Sequence, residues 1–332
     1  MRRSGLAGVL FTIGGIALLA WMLGRVGVAE IVAGVRSVGW MLLAIVAIGG
    51  LRFMLRAVAW RLCLEPPHRL SLGDAFAAVV CGDTIGNLTP LGPLVGEPAK
   101  AAFVRGRVAL GPAVTALAIE NVLYTLSAAA MIASGMVALL VSFKPPSAVR
   151  GVGEIAVAGT LVLFAIALVM LWRQPALISR ALGLAPPLRR HAVRMQEIET
   201  RIYTFASRHR TILPALAMAE IGFHALGVAE IYLTLWMLNG SAPSLLTSFI
   251  LETTNRLVTV VFKVIPLRLG VDEAATTYIS QVLGLTARVG LSMAIVRKLR
   301  MLSWALVGGV LLVRQGLLHR TPQLPQDQAE RG

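Results

Sequence analysis

Charge is scarce in this chain. Asp, Glu, Lys and Arg make up 14% of its residues, where a soluble domain carries roughly 25%. So little polar surface excludes a water-exposed globule. Acidic residues are the scarcer sign, 16 against 31 Lys and Arg, for a formal net charge of +15. Aromatic residues reach only 6% and do not interleave with a basic patch, which argues against nucleic-acid binding. Cysteine is reduced to Cys63 and Cys81, without the spacing of a metal site or a redox pair. Phosphate-binding loops, dinucleotide fingerprints and a Ser-His-Asp arrangement are missing too. The chain is therefore expected to be no enzyme and to need no cofactor or metal. Neither end carries a lipidation motif.

Apolar sequence fills the space: 57% of residues are hydrophobic and the mean hydropathy is +0.77. Several runs reach the ~20 residues that cross a bilayer as a helix. Six read as full spans, at about 5–24, 39–60, 109–141, 152–172, 211–238 and 287–313. The opening Met1-Arg2-Arg3 and the apolar run from Gly5 to Leu23 read as an uncleaved first span, because no small-residue cleavage site follows.

Two further apolar segments are interrupted. One, from Leu70 to Arg105, is broken by Thr89-Pro90-Leu91-Gly92-Pro93 and by Gly96-Glu97-Pro98. The other, from Pro243 to Leu285, is broken at Pro266 and Gly270. Proline blocks helix continuation, and broken backbone survives at membrane depth only inside protein or beside a wet cavity. Both segments are expected to be re-entrant hairpins. The fold class is thus an all-α polytopic membrane protein with about six full spans and two broken-helix hairpins.

Loop charge orients this arrangement. Arg2, Arg3, Arg61, Arg69, Arg105, Arg107, Arg314 and Arg320 fall on one side together with loop 173–210, whose arginines are the densest cluster in the chain. The positive-inside rule makes that side, and both termini, cytoplasmic. Only Arg25, Arg36, Lys144 and Arg150 oppose it.

The two breaks match each other. Pro90 and Pro266 stand 176 positions apart, as do Glu97 and Glu273. At the same offset about a quarter of the positions from Pro90 to Ala130 are identical, the weak internal symmetry seen in transporters. Three spans between the breaks make the expected repeat an inverted one. Its halves are residues 1–145 and 150–315, with a polar tail at 316–332. Within the basic loop, Leu188, Ala192, Met195, Ile198, Ile202 and Phe205 share one helical face. That stretch either lies on the anionic cytoplasmic leaflet or packs on the protein.

Ionisable residues inside membrane segments are costly and mark function by default. The first break offers Asn87, Glu97 and Lys100. A half-helix starting near Glu97 would present free N–H groups to an anion, with Lys100 adding full charge. Alternatively Glu97 caps the helix and pairs with Lys100. The second break offers Arg256, Lys263, Asp272 and Glu273, with Asp272 suited to an N-cap. Glu252 and Arg256 are spaced to pair along one helix, or Arg256 and Lys263 hold a phosphate. Glu120-Asn121 and Arg297-Lys298 occupy matching places in two spans, as cross-braces between the repeats or as a polar path. Glu220 and His224, one turn apart, read as a polar pair or proton relay.

These residues carry a resemblance. Asn87-x-x-Pro90, Gly96-Glu97-x-x-Lys100 and a span with Glu120, then Arg256, Pro266, Gly270-Val-x-Glu273 and a span with Arg297, resemble the flippase-like family named for the membrane domain of lysylphosphatidylglycerol synthase. The resemblance spans nearly the whole chain. It implies a bacterial or archaeal inner-membrane protein with broken helices that moves lipids or lipid-linked intermediates across the bilayer. Pro93 lengthens the first break beyond the common pattern, and the large soluble transferase domain of lysyl-lipid producers has no counterpart in this sequence. The leading expectation is a flippase for a phospholipid or polyprenyl-phosphate-linked lipid, with membrane lipids as partners. The alternatives are a non-catalytic partner of lipid or glycan biosynthetic enzymes, an ion-coupled transporter of a small metabolite, and an intramembrane enzyme.

Overall fold

The computed structural model describes residues 38–89, 92–174, 176, 179–180, 189–263 and 265–318, with residues 29, 32 and 36 before them. The span expected at 5–24 and the tail beyond residue 318 lie outside the described residues. Ten α-helices and one 3-10 turn, and no strand, are found among the described residues. They are α1 Met41–Leu62, α2 Leu72–Leu88, α3 Gly92–Phe103, α4 Leu110–Ser142, α5 Ser147–Arg173, α6 Arg189–Arg208, α7 Leu213–Asn239, α8 Leu245–Val261, the turn Pro266–Arg268, α9 Val271–Val282 and α10 Ala287–Leu318. Four, α1, α4, α5 and α7, are long and apolar enough to cross a membrane. The sixth expected span is a helix of 32 residues, α10, but is not among those four. It also runs past the boundary expected at residue 315.

Both interrupted segments are helix–break–helix hairpins, α2–α3 and α8–α9. Local chemistry sets their ends. Ser71 caps α2 by accepting from the Asp74 N–H at 3.1 Å, which satisfies a helix-end donor. Thr89 is extended, φ −109° and ψ 144°, as the residue before a proline prefers. Its hydroxyl donates to the Ile85 carbonyl at 2.6 Å and so occupies an end-of-helix acceptor. Ser244 caps α8 through the Thr247 N–H at 3.2 Å.

Two expected helix starts are corrected. α3 begins at Gly92, with Pro93 in its first turn, the position proline tolerates best. Glu97 therefore sits in the second turn and caps nothing. α9 is entered through Gly270 at φ +79°, a conformation that suits glycine. That glycine, and not Asp272, is the N-cap.

The halves correspond in order and packing. Each hairpin has arms of 17 and 12 residues and is followed by a helix of 33 or 32. α2 packs on α10 as α8 packs on α4, α1 on α2 as α7 on α8, and α1 and α7 pack on each other. At the paired crossings Gly308 of α10 meets Thr84 of α2, and Gly135 of α4 meets Thr253 of α8. Small residues let membrane helices approach this closely.

One apolar core joins Trp60, Ala75, Ala101, Ala116 and Leu216 near the first hairpin, and a second joins Leu139, Ile231, Leu251 and Met293 near the other. Helix α6 turns part of its apolar face to the protein, with Phe205 buried in the first core and Ile202 beside it. Val193, near its other end, is 69% exposed.

Candidate functional site

A cavity of about 530 Å³ opens between the two hairpins, α1, α4, α5, α7 and α10. Seven cations line it, Arg52, Arg56, Lys100, Arg256, Lys263, Arg268 and Arg300, against two carboxylates, Asp83 and Glu97. In an apolar helix bundle such an imbalance needs counter-charge close by. Much of that counter-charge stands behind the wall. Arg52 reaches Glu230 at 3.1 Å and Glu252 at 3.4 Å. Arg56 pairs with Glu120 at 2.7 Å, Arg256 with Glu252 at 2.8 Å and Arg300 with Glu230 at 2.8 Å. Arg268 pairs with Asp272 at 3.2 Å.

Two aromatic rings carry the arginines into the cavity. The Arg56 guanidinium lies 4.0 Å from the Tyr124 ring centre, and Arg52 and Arg256 lie 4.6 and 4.8 Å from that of Phe223. Ring faces attract cations electrostatically. Tyr124 also accepts from Arg256 at 3.1 Å through its hydroxyl.

Five of the eight site residues expected from sequence line the cavity: Asn87, Glu97, Lys100, Arg256 and Lys263. Glu97 accepts from Lys100 at 2.6 Å and from the Asn121 amide at 2.9 Å. Asn87 donates to Asp83 at 2.8 Å. Lys263 is exposed in the cavity wall and has no hydrogen bond or ion pair among the described residues. The other three, Glu120, Glu273 and Arg297, are not on the wall. Glu120 backs Arg56. Arg297 donates to Asn255 at 2.6 Å and Thr276 at 3.3 Å. Glu273 pairs with Lys298 at 3.4 Å.

The expected pair of half-helix N-termini is only half realised on the wall. Gly92 of α3 lines the cavity. The start of α9 is occupied by its own carboxylates, Asp272 and Glu273, which face Lys298 and Arg268. Acidic groups already satisfy a helix N-terminus, so it offers nothing to a ligand. Lys298 further donates to the Leu267 carbonyl, in a turn where Leu267 and Arg268 hold φ of 53° and 47°, strained values for residues with side chains.

The expected cross-braces are also corrected. Arg297 and Lys298 bond within their own half. Links between halves include Arg52 to Glu230 and Glu252, Arg256 to Tyr124 and Ser127 to Glu220. Arg52, Arg56, Asp83, Arg300 and Tyr124 were not singled out by sequence reasoning. Two arginines four residues apart inside the apolar stretch 39–60 were the signal for Arg52 and Arg56.

The model of the family described as the lysylphosphatidylglycerol synthase TM region matches residues 5–309 of the chain. Neither a curated protein nor a solved structure matches it.

Proposed function

The chain belongs to the lysylphosphatidylglycerol synthase TM region family, a membrane and lipid-related family, and on that premise we propose that it translocates a lipid with an anionic head group across the cytoplasmic membrane. One observation carries this reading: seven cations against two carboxylates around a cavity of about 530 Å³. That size suits a small organic ligand. A phosphate cannot cross hydrocarbon unpaired, and this wall replaces its water with fixed charge. Among the described residues Lys263 is the lining cation with no ion pair or hydrogen bond, so it is assigned to the phosphate. The other lining cations are already anchored and orient the head group.

Orientation belongs to the same proposal. Three helices able to span, α4, α5 and α7, separate the hairpins. An odd number of crossings turns the second half over, so the halves are read as an inverted repeat with both termini cytoplasmic. The ligands are membrane lipids, and Glu97 and Asp83 face any amine on the head group.

The test is transfer of a fluorescent phosphatidylglycerol in vesicles of phosphatidylcholine and phosphatidylglycerol holding the full chain. Lys263→Gln should slow transfer about tenfold, the scale of one lost charge-assisted hydrogen bond, while Lys263→Arg retains most of it. If the protein moves no labelled lipid, the reading falls and a non-catalytic partner in lipid or glycan biosynthesis takes its place.

A further inference from the structure

Behind the cavity wall lies a second polar group that the lipid site does not use. Glu220 of α7 is 7% exposed. Among the described residues of the two hairpins and of α1, α4, α5, α7 and α10 it is the one buried carboxylate that no cation approaches within 4 Å. Its partner is a hydroxyl: Ser127 of α4 donates to it at 2.8 Å. The same hydroxyl lies 3.1 Å from Nε2 of His224. The other ring nitrogen, Nδ1, is buried without a partner among the described residues. A carboxylate, a hydroxyl and an imidazole thus form a chain across two helices, ending in a nitrogen whose lone pair is unused among the described residues.

We propose that Glu220, Ser127 and His224 are a proton-binding relay that couples lipid movement to a proton gradient; this rests on the translocation reading. The step balances. A proton carried from water across the part-buried edge of the His224 ring bonds to its buried Nδ1. The Nε2–H proton passes to the Ser127 oxygen, and the old Ser127 O–H proton passes to the Glu220 carboxylate. The chain gains one proton, Glu220 becomes neutral, and His224 stays neutral in its other tautomer. An unpaired buried carboxylate is costly to keep charged, and a hydroxyl both donates and accepts, so both states are hydrogen-bonded. Imidazole serves as a shuttle for the same reason.

The relay touches the cavity through two rings. His224 stacks on Tyr124 at 6.3 Å and meets Phe223 edge-on at 5.4 Å, and those rings carry Arg56, Arg52 and Arg256. The titratable and charged groups on the elements packed against α7 are Arg52, Arg56 and Cys63 of the α1 segment, Glu120 and Tyr124 of α4, Glu252 and Arg256 of α8, and Arg300 of α10. Each of these carboxylates has its own arginine. Neutralising Glu220 removes a negative charge that Arg56 feels, and so strengthens the positive field of the lipid site.

Two measurements on the full chain decide it. In vesicles carrying labelled phosphatidylglycerol, wild-type transfer should respond to an imposed pH gradient. Glu220→Gln and His224→Gln should transfer at one rate whatever the gradient, and Ser127→Ala, which keeps both end groups, should lose the response too. Transfer by the wild type that ignores the gradient, or a Glu220→Gln protein that still follows it, overturns the relay and leaves translocation standing. Infrared difference spectra between acid and neutral pH need no transport. The carboxylic-acid carbonyl absorption of wild type should include a band that is missing from Glu220→Gln and shifted in Ser127→Ala. Without such a band the relay is wrong, whatever moves the lipid; with the band but no lipid transfer, the translocation reading is what fails.

Discussion

The two hairpins share a plan and differ in what closes them. In α2–α3 the arms meet through Gly82, Gly86, Gly92 and Gly96. A Cβ on Gly96 would lie 2.6 Å from the Gly82 carbonyl oxygen, and one on Gly82 2.8 Å from that of Gly96. Backbone contact of this kind needs no charge. In α8–α9 neither arm contains a glycine, and the connection is nine residues long, 262–270, where the first has three, 89–91. Lys298 ties that connection and α9 together, through the Leu267 carbonyl, Asp272 and Glu273. Corresponding sequence positions therefore serve different ends. Glu97 faces the cavity while Glu273 is buried at 1% exposure. The glycine-closed hairpin needs no charge to hold its arms together, whereas the other is held by Lys298 with Asp272 and Glu273.

Removing Lys298 should show the largest effect. Lys298→Met leaves Asp272 and Glu273 short of a buried cation and the strained turn without its anchor. Stability should fall by ~3–5 kcal/mol, the scale of breaking a buried pair from one side. Thermal unfolding in detergent measures it, and an unchanged midpoint would mean the second hairpin is not held by charge. Gly96→Ala comes next. Its methyl group would meet backbone atoms that cannot rotate away, as overpacking does, for ~1–3 kcal/mol. A silent Gly96→Ala would remove the basis for contrasting the hairpins. The smallest effect belongs to Gly159→Ala on α5, where a Cβ meets nothing within 4 Å. Its stability should stay level or rise by up to ~1 kcal/mol, since alanine is the better helix former. A marked loss there would show that glycine matters in these helices for reasons other than close approach.

Much of the fold was legible because membrane helices announce themselves by length and proline by its missing donor. The hairpins emerged from Pro90 and Pro266, and the helix boundaries from Ser71, Ser244 and Gly270 follow the same local rules. The candidate site was legible in part, since a charge in an apolar run stands out. Lys100, Arg256 and Lys263 drew notice beside the breaks, and all three face the cavity. Arg52 and Arg56 were equally visible as charges but sat in an unbroken span, where nothing local separates a cavity residue from a loop-end cation. Glu120 and Glu273 were read as ligand groups, yet their places behind Arg56 and beside Lys298 depend on helices distant in sequence.

The sequence by itself determined that the chain lives in a membrane and that two helices break. Those are consequences of transfer free energy and backbone donors, which act residue by residue. Only the tertiary structure decided which charges are paired and which are open. Pairing depends on distances of a few ångströms between α1, α4, α7, α8 and α10. Arg52 finds Glu230 and Glu252 from about two hundred residues away, while Lys263, just past the end of α8, has no ion pair or hydrogen bond among the described residues and lines the cavity.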